Sequence, residues 1–163
     1  MKALLLALLF GQAAASMQWT AVDGSIPPGL TPLVPLDAAT PASVLGRIQL
    51  PGGAGSSPGV VSGGVCVTPF KGVALQSPRY EVATGATLSW CGEDWARATP
   101  VGQQGAIEVF FCRAPVFLAD KRVEWAYGKA YRSGRHAKRA YVAWNGREIE
   151  LTQGYELAVL TAP

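Results

Sequence analysis

Glycine and proline interrupt this chain so often that long helices are excluded. The sequence contains 19 glycines and 12 prolines among 163 residues, and these two residue types destabilise a helix interior more than any others. No segment between them carries apolar residues at the helical period of about 3.6 residues over several turns. The sequence therefore predicts an all-β protein built from antiparallel hairpins.

The clearest hairpin signal is the Asn145-Gly146 pair, which lies between the strand-like runs Tyr141–Trp144 and Arg147–Leu151. Asn-Gly favours a type I′ turn, because both turn residues need a positive φ. Since successive side chains of a strand point to opposite faces, Glu148 and Glu150 are expected to share one face of the second strand.

Short apolar runs bounded by turn formers predict further strands. There are six of them: Val65–Phe70, Arg79–Ala83, Thr87–Trp90, Ala106–Arg113, Val123–Tyr127 and Tyr155–Leu160. The stretch 51–59 is dominated by glycine, proline and serine, and we therefore predict a loop there.

The first sixteen residues are typical of a secretory signal peptide. Lys2 precedes an apolar run over 3–10, and small residues follow at 13–16, so that cleavage is expected after Ala15 or Ser16. A membrane-spanning helix would need roughly 20 apolar residues, and the sequence contains no run of that length. We therefore expect a secreted, extracellular protein that does not span a membrane.

Secretion permits disulfide bonds, because the extracellular environment is oxidising. The chain has three cysteines, Cys66, Cys91 and Cys112. One bond would leave one thiol over, and the sequence does not choose among the three pairings. A bond between Cys91 and Cys112 is favoured because both lie in the same half of the chain. The third thiol would be buried or would link two chains.

Two parts of the chain are similar at an offset of roughly 75 residues. In each part a strand-like run leads to an aromatic residue, a free position and a glycine, and a Tyr-Glu-aliphatic motif follows. The matching segments are Val65–Gly72 with Tyr80-Glu81-Val82, and Ala140–Gly146 with Tyr155-Glu156-Leu157. Further upstream, Trp19 and Val44–Arg47 match Trp90 and Phe110–Arg113.

This duplication predicts two tandem, pseudo-symmetric repeats of antiparallel β-sheet, 17–86 and 87–163. A repeat of about 70 residues buries little surface by itself. We therefore expect the two repeats to share one core, and an exchange of strands between them would be one way to do so.

The order and duplication of these motifs resemble the DM9 domain. The similarity covers about 17–160. Its strongest pieces are short motifs: Ile26-Pro27-Pro28-Gly29, Leu45-Gly46-Arg47, Tyr80-Glu81-Val82, Phe111-Cys112-Arg113-Ala114, Gly128-Lys129 and Asn145-Gly146-Arg147-Glu148. DM9 proteins are tandem-repeat β proteins, and some of them are mannose-binding lectins of innate immunity. The resemblance therefore implies a pseudo-twofold pair of intertwined β units that bind carbohydrate.

The DM9 resemblance also implies where a sugar would bind. It implies a lysine in a Gly-Lys turn, matched by Lys129, and an upstream acidic residue, matched best by Glu108 with Asp120 as the other candidate. An ammonium donates three hydrogen bonds and a carboxylate only accepts, so the pair suits sugar hydroxyls. Nearby aromatic residues would contact the apolar face of a sugar ring: Trp125, Tyr127 and Tyr131. The first repeat has Val60 and Ala42 at the matching positions, so one site per chain is expected.

A second candidate surface is the segment 121–139, which holds seven basic residues and one acidic residue, Glu124. Besides Lys129, the basic residues are Lys121, Arg122, Arg132, Arg135, Lys138 and Arg139. Such a cluster would bind anionic glycans or lipid surfaces, and this is the alternative function. The net charge of +3 is too small to indicate a nucleic-acid partner.

Enzymatic motifs are weak in this sequence. Gly55–Gly59 has the form G-x-S-x-G, but that motif needs a preceding strand and a following helix, and a loop and a strand are predicted here. The cysteines and His136 lack the paired spacing of a zinc site. We therefore expect a non-enzymatic recognition protein that uses no metal and no cofactor. Weak binding at a single sugar site favours a homodimer, and a structural extracellular protein without ligand is the remaining alternative.

Overall fold

The structure is a computed structural model that describes residues 17–37 and 42–163, and the predicted signal peptide, 1–16, lies outside the described residues. Within them the chain forms thirteen strands and a short 3₁₀ helix, Pro51–Gly53. The strands are β1 (Gln18–Asp23), β2 (Val44–Gln49), β3 (Ser56–Ser62), β4 (Val65–Phe70), β5 (Val73–Ser77), β6 (Arg79–Thr84), β7 (Thr87–Trp90), β8 (Pro100–Gln104), β9 (Ile107–Phe117), β10 (Val123–Tyr131), β11 (Arg139–Trp144), β12 (Arg147–Leu151) and β13 (Glu156–Thr161). The all-β, antiparallel prediction is confirmed.

Each half of the chain pairs its strands in the same order. The first half has the order β1-β6-β2-β3-β4-β5, and the second has β7-β13-β9-β10-β11-β12, with β8 also paired to β9. The two series join where Val73 of β5 pairs with Arg147 of β12. Among the described residues no strand is exchanged between the halves, so this part of the expectation is wrong.

The same three residue types meet in each half. In each case an arginine pairs with a glutamate of the neighbouring strand and lies over a tryptophan ring. Arg47 Nε lies 2.7 Å from Glu81 Oε2, and the Arg47 guanidinium is 4.2 Å from the centre of the Trp19 ring. The second set is Arg113, Glu156 and Trp90, with distances of 2.6 and 4.3 Å. A tandem repeat of the sequence stays a prediction, because no comparison tests it.

The hydrophobic core covers both faces of β9. Four successive residues of this strand, Val109 to Cys112, are completely buried. Because successive side chains point to opposite faces, the sheet must curl so that both of its faces are covered here. Phe110 packs in one apolar cluster with Leu157, and Phe111 packs in another with Leu45.

The predicted hairpin at Asn145-Gly146 is confirmed, because both residues have positive φ, 47° and 75°, and β11 and β12 pair on either side of them. Strand β3 was not predicted, since its Pro58-Gly59 resembles loop sequence. Gly59 is required in this strand, because a Cβ there would lie 2.0 Å from the Val67 carbonyl oxygen.

The predicted disulfide bond is absent. Cys66, Cys91 and Cys112 are free thiols, and the first and last of them are buried. Burial raises the pKa of the Cys66 thiol to about 12. The Cys91 thiol lies 3.4 Å from the Leu157 carbonyl oxygen rather than facing Cys112. Among the described residues no helix is long and apolar enough to cross a membrane.

Candidate functional site

A pocket of about 400 Å³ opens where the two halves of the sheet meet. The first half contributes Phe70 and Lys71, at the end of β4. The second half contributes Lys129 on β10, Tyr141 on β11 and Glu148 on β12. We call it the Lys129 pocket. Neither half supplies all of its walls, and the halves are joined beside it by the pairing of β5 with β12.

Lys129 is the charged group at the centre of this pocket. Its side chain is only 5 % exposed, and its ammonium lies 3.8 Å from Glu148 Oε2. The same ammonium lies 5.2 Å from the centre of the Phe70 ring and 5.9 Å from that of Tyr131, which are favourable cation–π distances. Burial lowers the pKa of Lys129, and the nearby Glu148 carboxylate opposes this effect. Lys129 is thus a buried cation held by one loose ion pair and two rings.

Gly128 sets the position of Lys129. A Cβ at residue 128 would lie 1.9 Å from the Tyr141 carbonyl oxygen, so only glycine allows β10 to approach β11 this closely. The DM9 resemblance implies that Gly128-Lys129 forms a turn. In the structure both residues lie inside strand β10, so this expectation is wrong. Lys129 pairs in register with Tyr141 and shares its face of the sheet.

Glu148 is held in place by the first half of the chain. Its Oε1 accepts a hydrogen bond of 3.1 Å from the Gly72 N–H in the turn between β4 and β5. That turn has positive φ at Lys71 and Gly72, 49° and 83°. Glu148 Oε2 is left facing Lys129. The carboxylate thus connects the halves and also lines the pocket.

Two tyrosines and their partners form the remaining wall. The Tyr131 hydroxyl donates a hydrogen bond of 2.7 Å to Gln104 Oε1, and the Tyr141 hydroxyl lies 2.7 Å from His136 Nδ1. The two phenol rings pack edge to face, with centres 6.0 Å apart. Burial raises the pKa of both tyrosines, so their hydroxyls stay protonated at neutral pH.

The pocket combines hydrogen-bond donors, an acceptor and apolar ring faces. Among the described residues the Lys129 ammonium donates no hydrogen bond, so its protons are available to a ligand oxygen. Glu148 accepts, and the rings of Phe70 and Tyr141 present flat apolar surface. A ligand with adjacent hydroxyl groups and an apolar face matches this set.

Neither predicted acidic partner lies in the Lys129 pocket. On β9 the odd-numbered residues Val109 and Phe111 pair with Tyr131 and Lys129, so Glu108 points to the opposite face. It pairs there with Arg132 at 2.6 Å. Asp120 lies in the turn between β9 and β10 and pairs with Arg122. The prediction that Glu108 or Asp120 is the acidic partner of Lys129 is therefore wrong. Side-chain alternation along β9 directs Glu108 away from Lys129, and Asp120 lies in a turn outside the pocket.

Of the three aromatic residues predicted to contact a sugar, only one lines the Lys129 pocket. Tyr131 lines the pocket. Tyr127 stacks on Phe111 within the core, with ring centres 5.9 Å apart and planes 5° apart. Trp125 lies nearer the end of the hairpin, where the Arg113 guanidinium covers its ring at 3.9 Å. Tyr127 and Trp125 therefore do not contribute to this pocket, although they share a strand face with Lys129.

The basic segment does not form one surface. Lys121 and Arg122 lie before β10, whereas Arg132, Arg135, Lys138 and Arg139 lie at or beyond its end. The strand has nine residues, so it separates the two groups by ~26 Å at about 3.3 Å per residue. Three of the arginines pair with carboxylates: Arg122 with Asp120, Arg132 with Glu108 and Arg139 with Glu150.

Sequence reasoning placed Glu148 correctly on a strand face with Glu150 but did not assign it to the site. It also missed Phe70, His136 and Tyr141. The signal for Glu148 was local, because the Asn-Gly turn fixes the register of β11 against β12. Assigning Glu148 to the site also requires the pairing of β10 with β11 and of β5 with β12. A single short motif does not predict either pairing.

Comparisons with known proteins bear on the fold only. The chain matches no protein-family model and no curated protein sequence. Among solved structures it is similar to the nematode sperm cell motility protein MFP2B, with 12 % identity and a TM-score of 0.60. The match covers 92 % of this chain and 46 % of that chain, so the chain spans about half the length of its structural neighbour. At this identity the likeness shows a shared β-rich fold.

Proposed function

We propose that this protein is a non-catalytic carbohydrate-binding protein and that a mannose-type sugar binds in the Lys129 pocket. The observation that supports this most is the buried Lys129 ammonium beside the Glu148 carboxylate, between aromatic rings. A buried charge is costly unless a partner compensates for it, and this one has a single loose partner at 3.8 Å. A ligand oxygen would supply the missing compensation.

In the proposed complex, one sugar hydroxyl accepts a hydrogen bond from Lys129 and donates one to Glu148. A second hydroxyl accepts from another proton of the ammonium. The C–H face of the ring packs on Phe70 or Tyr141. The choice of a mannose-type sugar rests on the DM9 resemblance alone. The same resemblance is the basis for proposing a role in innate immunity. Secretion and assembly into a homodimer, which would raise the avidity of weak sites, are part of the same proposal.

The basic segment 121–139 supports the alternative function less well. Its charges lie in two groups at opposite ends of β10, and three of its arginines are paired with carboxylates. Anionic glycans or lipid surfaces would therefore meet two weakly charged regions and not one continuous patch. The salt dependence of binding distinguishes this alternative from binding in the Lys129 pocket.

The test compares wild type with Lys129→Met on a glycan array at low and moderate salt. Met keeps the length and apolar character of the Lys side chain but removes the ammonium. Because a hydrogen bond to a charged donor contributes about 1.5–3 kcal/mol, we expect a roughly tenfold to hundredfold loss of mannose binding. Lys138→Met is the control, since Lys138 is exposed and does not line the pocket.

Binding of a neutral sugar should barely change with salt, whereas binding through exposed basic residues should weaken strongly. If Lys129→Met bound mannose-rich glycans as well as wild type, the assignment of the site would be wrong. If only acidic glycans bound, and only at low salt, the function would move to the basic segment.

A further inference from the structure

A second pocket of about 500 Å³ lies beside the Lys129 pocket. Its walls also come from both halves of the chain. The first half contributes Trp19 on β1, Arg47 on β2 and Ser56 on β3, and the second half contributes Gln103 on β8 and Glu108 on β9. We call it the Trp19 pocket. The proposed binding of a sugar in the Lys129 pocket does not involve it.

The two pockets share the hairpin of β8 and β9 as a common wall. In this hairpin Gln104 pairs with Ile107, and Gln103 pairs with Glu108. The first pair lines the Lys129 pocket and the second pair lines the Trp19 pocket. Because neighbouring residues of a strand face opposite sides, the two pockets lie on opposite faces of this hairpin. Its tip is the exposed turn at Gly105.

Two of the residues that line the Trp19 pocket are glycines at points of close backbone approach. A Cβ on Gly102 would lie 2.5 Å from the Ser56 hydroxyl oxygen, and a Cβ on Gly55 would lie 2.0 Å from the Gln103 carbonyl oxygen. Both glycines therefore allow β3 and β8 to approach each other. This packing gives a structural role to Gly55 of the G-x-S-x-G motif at 55–59. The serine of that motif, Ser57, is buried and hydrogen-bonded to Thr68, and it lies in a strand without the following helix that a nucleophile elbow needs.

Several polar groups in the Trp19 pocket are available to a ligand. Among the described residues the Ser56 hydroxyl and the Gln103 side-chain amide make no hydrogen bond. Glu108 uses Oε2 to pair with Arg132, and its Oε1 has no partner within the described chain. A hydroxyl, an amide and a carboxylate oxygen offer both donors and acceptors. The indole of Trp19, stacked under Arg47, adds an aromatic group beside them.

We infer that the Trp19 pocket binds a further sugar unit of the glycan whose first unit occupies the Lys129 pocket. This inference rests on the proposed function. It narrows the ligand class to an oligosaccharide long enough to cross the β8–β9 turn, because the two pockets lie on opposite sides of that hairpin. It also gives Glu108 a role that differs from the one expected for it, as a contact for the second sugar unit.

The test is calorimetric titration of the protein with methyl α-mannoside and with linear α-linked mannose disaccharide, trisaccharide and tetrasaccharide. For wild type we expect the longest saccharides to bind about tenfold more tightly than the monosaccharide, as two additional hydrogen bonds would provide. The double variant Gln103→Ala, Glu108→Gln should bind every saccharide with the affinity of the monosaccharide. Its monosaccharide binding should equal that of wild type.

Gln76→Ala is the matched control, because Gln76 is an exposed glutamine on β5 that lines neither pocket. Loss of the exposed pair between Glu108 and Arg132 is expected to change stability little, and thermal unfolding of the double variant checks this. If wild type bound all lengths equally, or if the double variant kept the gain with length, the inference would be overturned while the Lys129 site stood. If no saccharide of any length bound, the proposed function would fail together with it.

Discussion

The substitution Gly128→Ala tests whether the close approach of β10 and β11 builds the Lys129 pocket. An added Cβ would lie 1.9 Å from the Tyr141 carbonyl oxygen and 2.8 Å from the Tyr141 carbonyl carbon and the Val142 Cα. Ordinary contacts begin at 3.4 Å, so the strands would have to separate by about 1.5 Å. The obstacle is backbone on a paired strand, and a side-chain rotation cannot relieve it.

The size of the effect follows from this geometry. Overpacking that neighbouring side chains can absorb typically costs about 1–3 kcal/mol. Here the β10–β11 ladder, which pairs five positions on each strand, must be distorted. We therefore expect a loss of at least about 3 kcal/mol, a large part of the roughly 5–15 kcal/mol by which a domain is stable. Sugar binding should be lost as well, since Lys129 and Tyr141 would move apart.

Urea unfolding followed by tryptophan fluorescence measures the loss, and Gly29→Ala is the control. A Cβ on Gly29 would have no atom within 4 Å, so we expect a change in unfolding free energy of less than about 0.5 kcal/mol. Should Gly128→Ala lower the stability by less than about 1 kcal/mol, the close approach of the strands would not be as described. Gly59→Ala should behave like Gly128→Ala, because its Cβ would meet the Val67 carbonyl oxygen at 2.0 Å.

Two further predictions concern titratable groups. Because burial lowers the pKa of Lys129 from 10.5, the folded protein binds fewer protons than the unfolded chain between the lowered value and 10.5. Wild type should therefore gain stability relative to Lys129→Met as the pH rises through that window, and a difference that stays constant in urea unfolding between pH 8 and 10.5 would refute this. Cys66 and Cys112 are buried, whereas Cys91 is partly exposed, so iodoacetamide should modify only Cys91 in the native protein and all three cysteines in urea. Mass spectrometry counts the modified thiols, and a Cys91–Cys112 disulfide would appear as two cysteines protected even in urea.

Much of the strand content was predictable because its signals are local. Thr87–Trp90 and Arg147–Leu151 were predicted with the bounds that the structure has, and the Asn145-Gly146 turn set the hairpin between β11 and β12. Strand β3 was missed for the opposite reason. Its Pro58-Gly59 is unfavourable in an isolated strand, and it forms one here because β2 and β4 pair on both of its sides.

The candidate site shows the limit of the same reasoning. Lys129 came from the DM9 resemblance, and it does line the pocket. Glu108 was matched, from its position before Arg113, to the upstream acidic residue that the DM9 resemblance implies. The alternation of side chains along β9 places it on the other side of the sheet. Glu148, the carboxylate that faces Lys129, is slightly nearer to it in sequence than Glu108 is. Strand pairing and a hydrogen bond from Gly72 of the other half place it there.

The amino-acid sequence by itself determined the β class, the Asn145-Gly146 turn and most strands, because turn propensity and side-chain alternation act over a few neighbouring residues. Only the tertiary structure decided which residues share a pocket. That choice depends on strand order and register, above all on the pairing of β5 with β12, which brings Phe70 and Gly72 of one half to Lys129 and Glu148 of the other. These pairings are formed between distant parts of the chain, and each is selected by how the whole sheet buries its apolar faces.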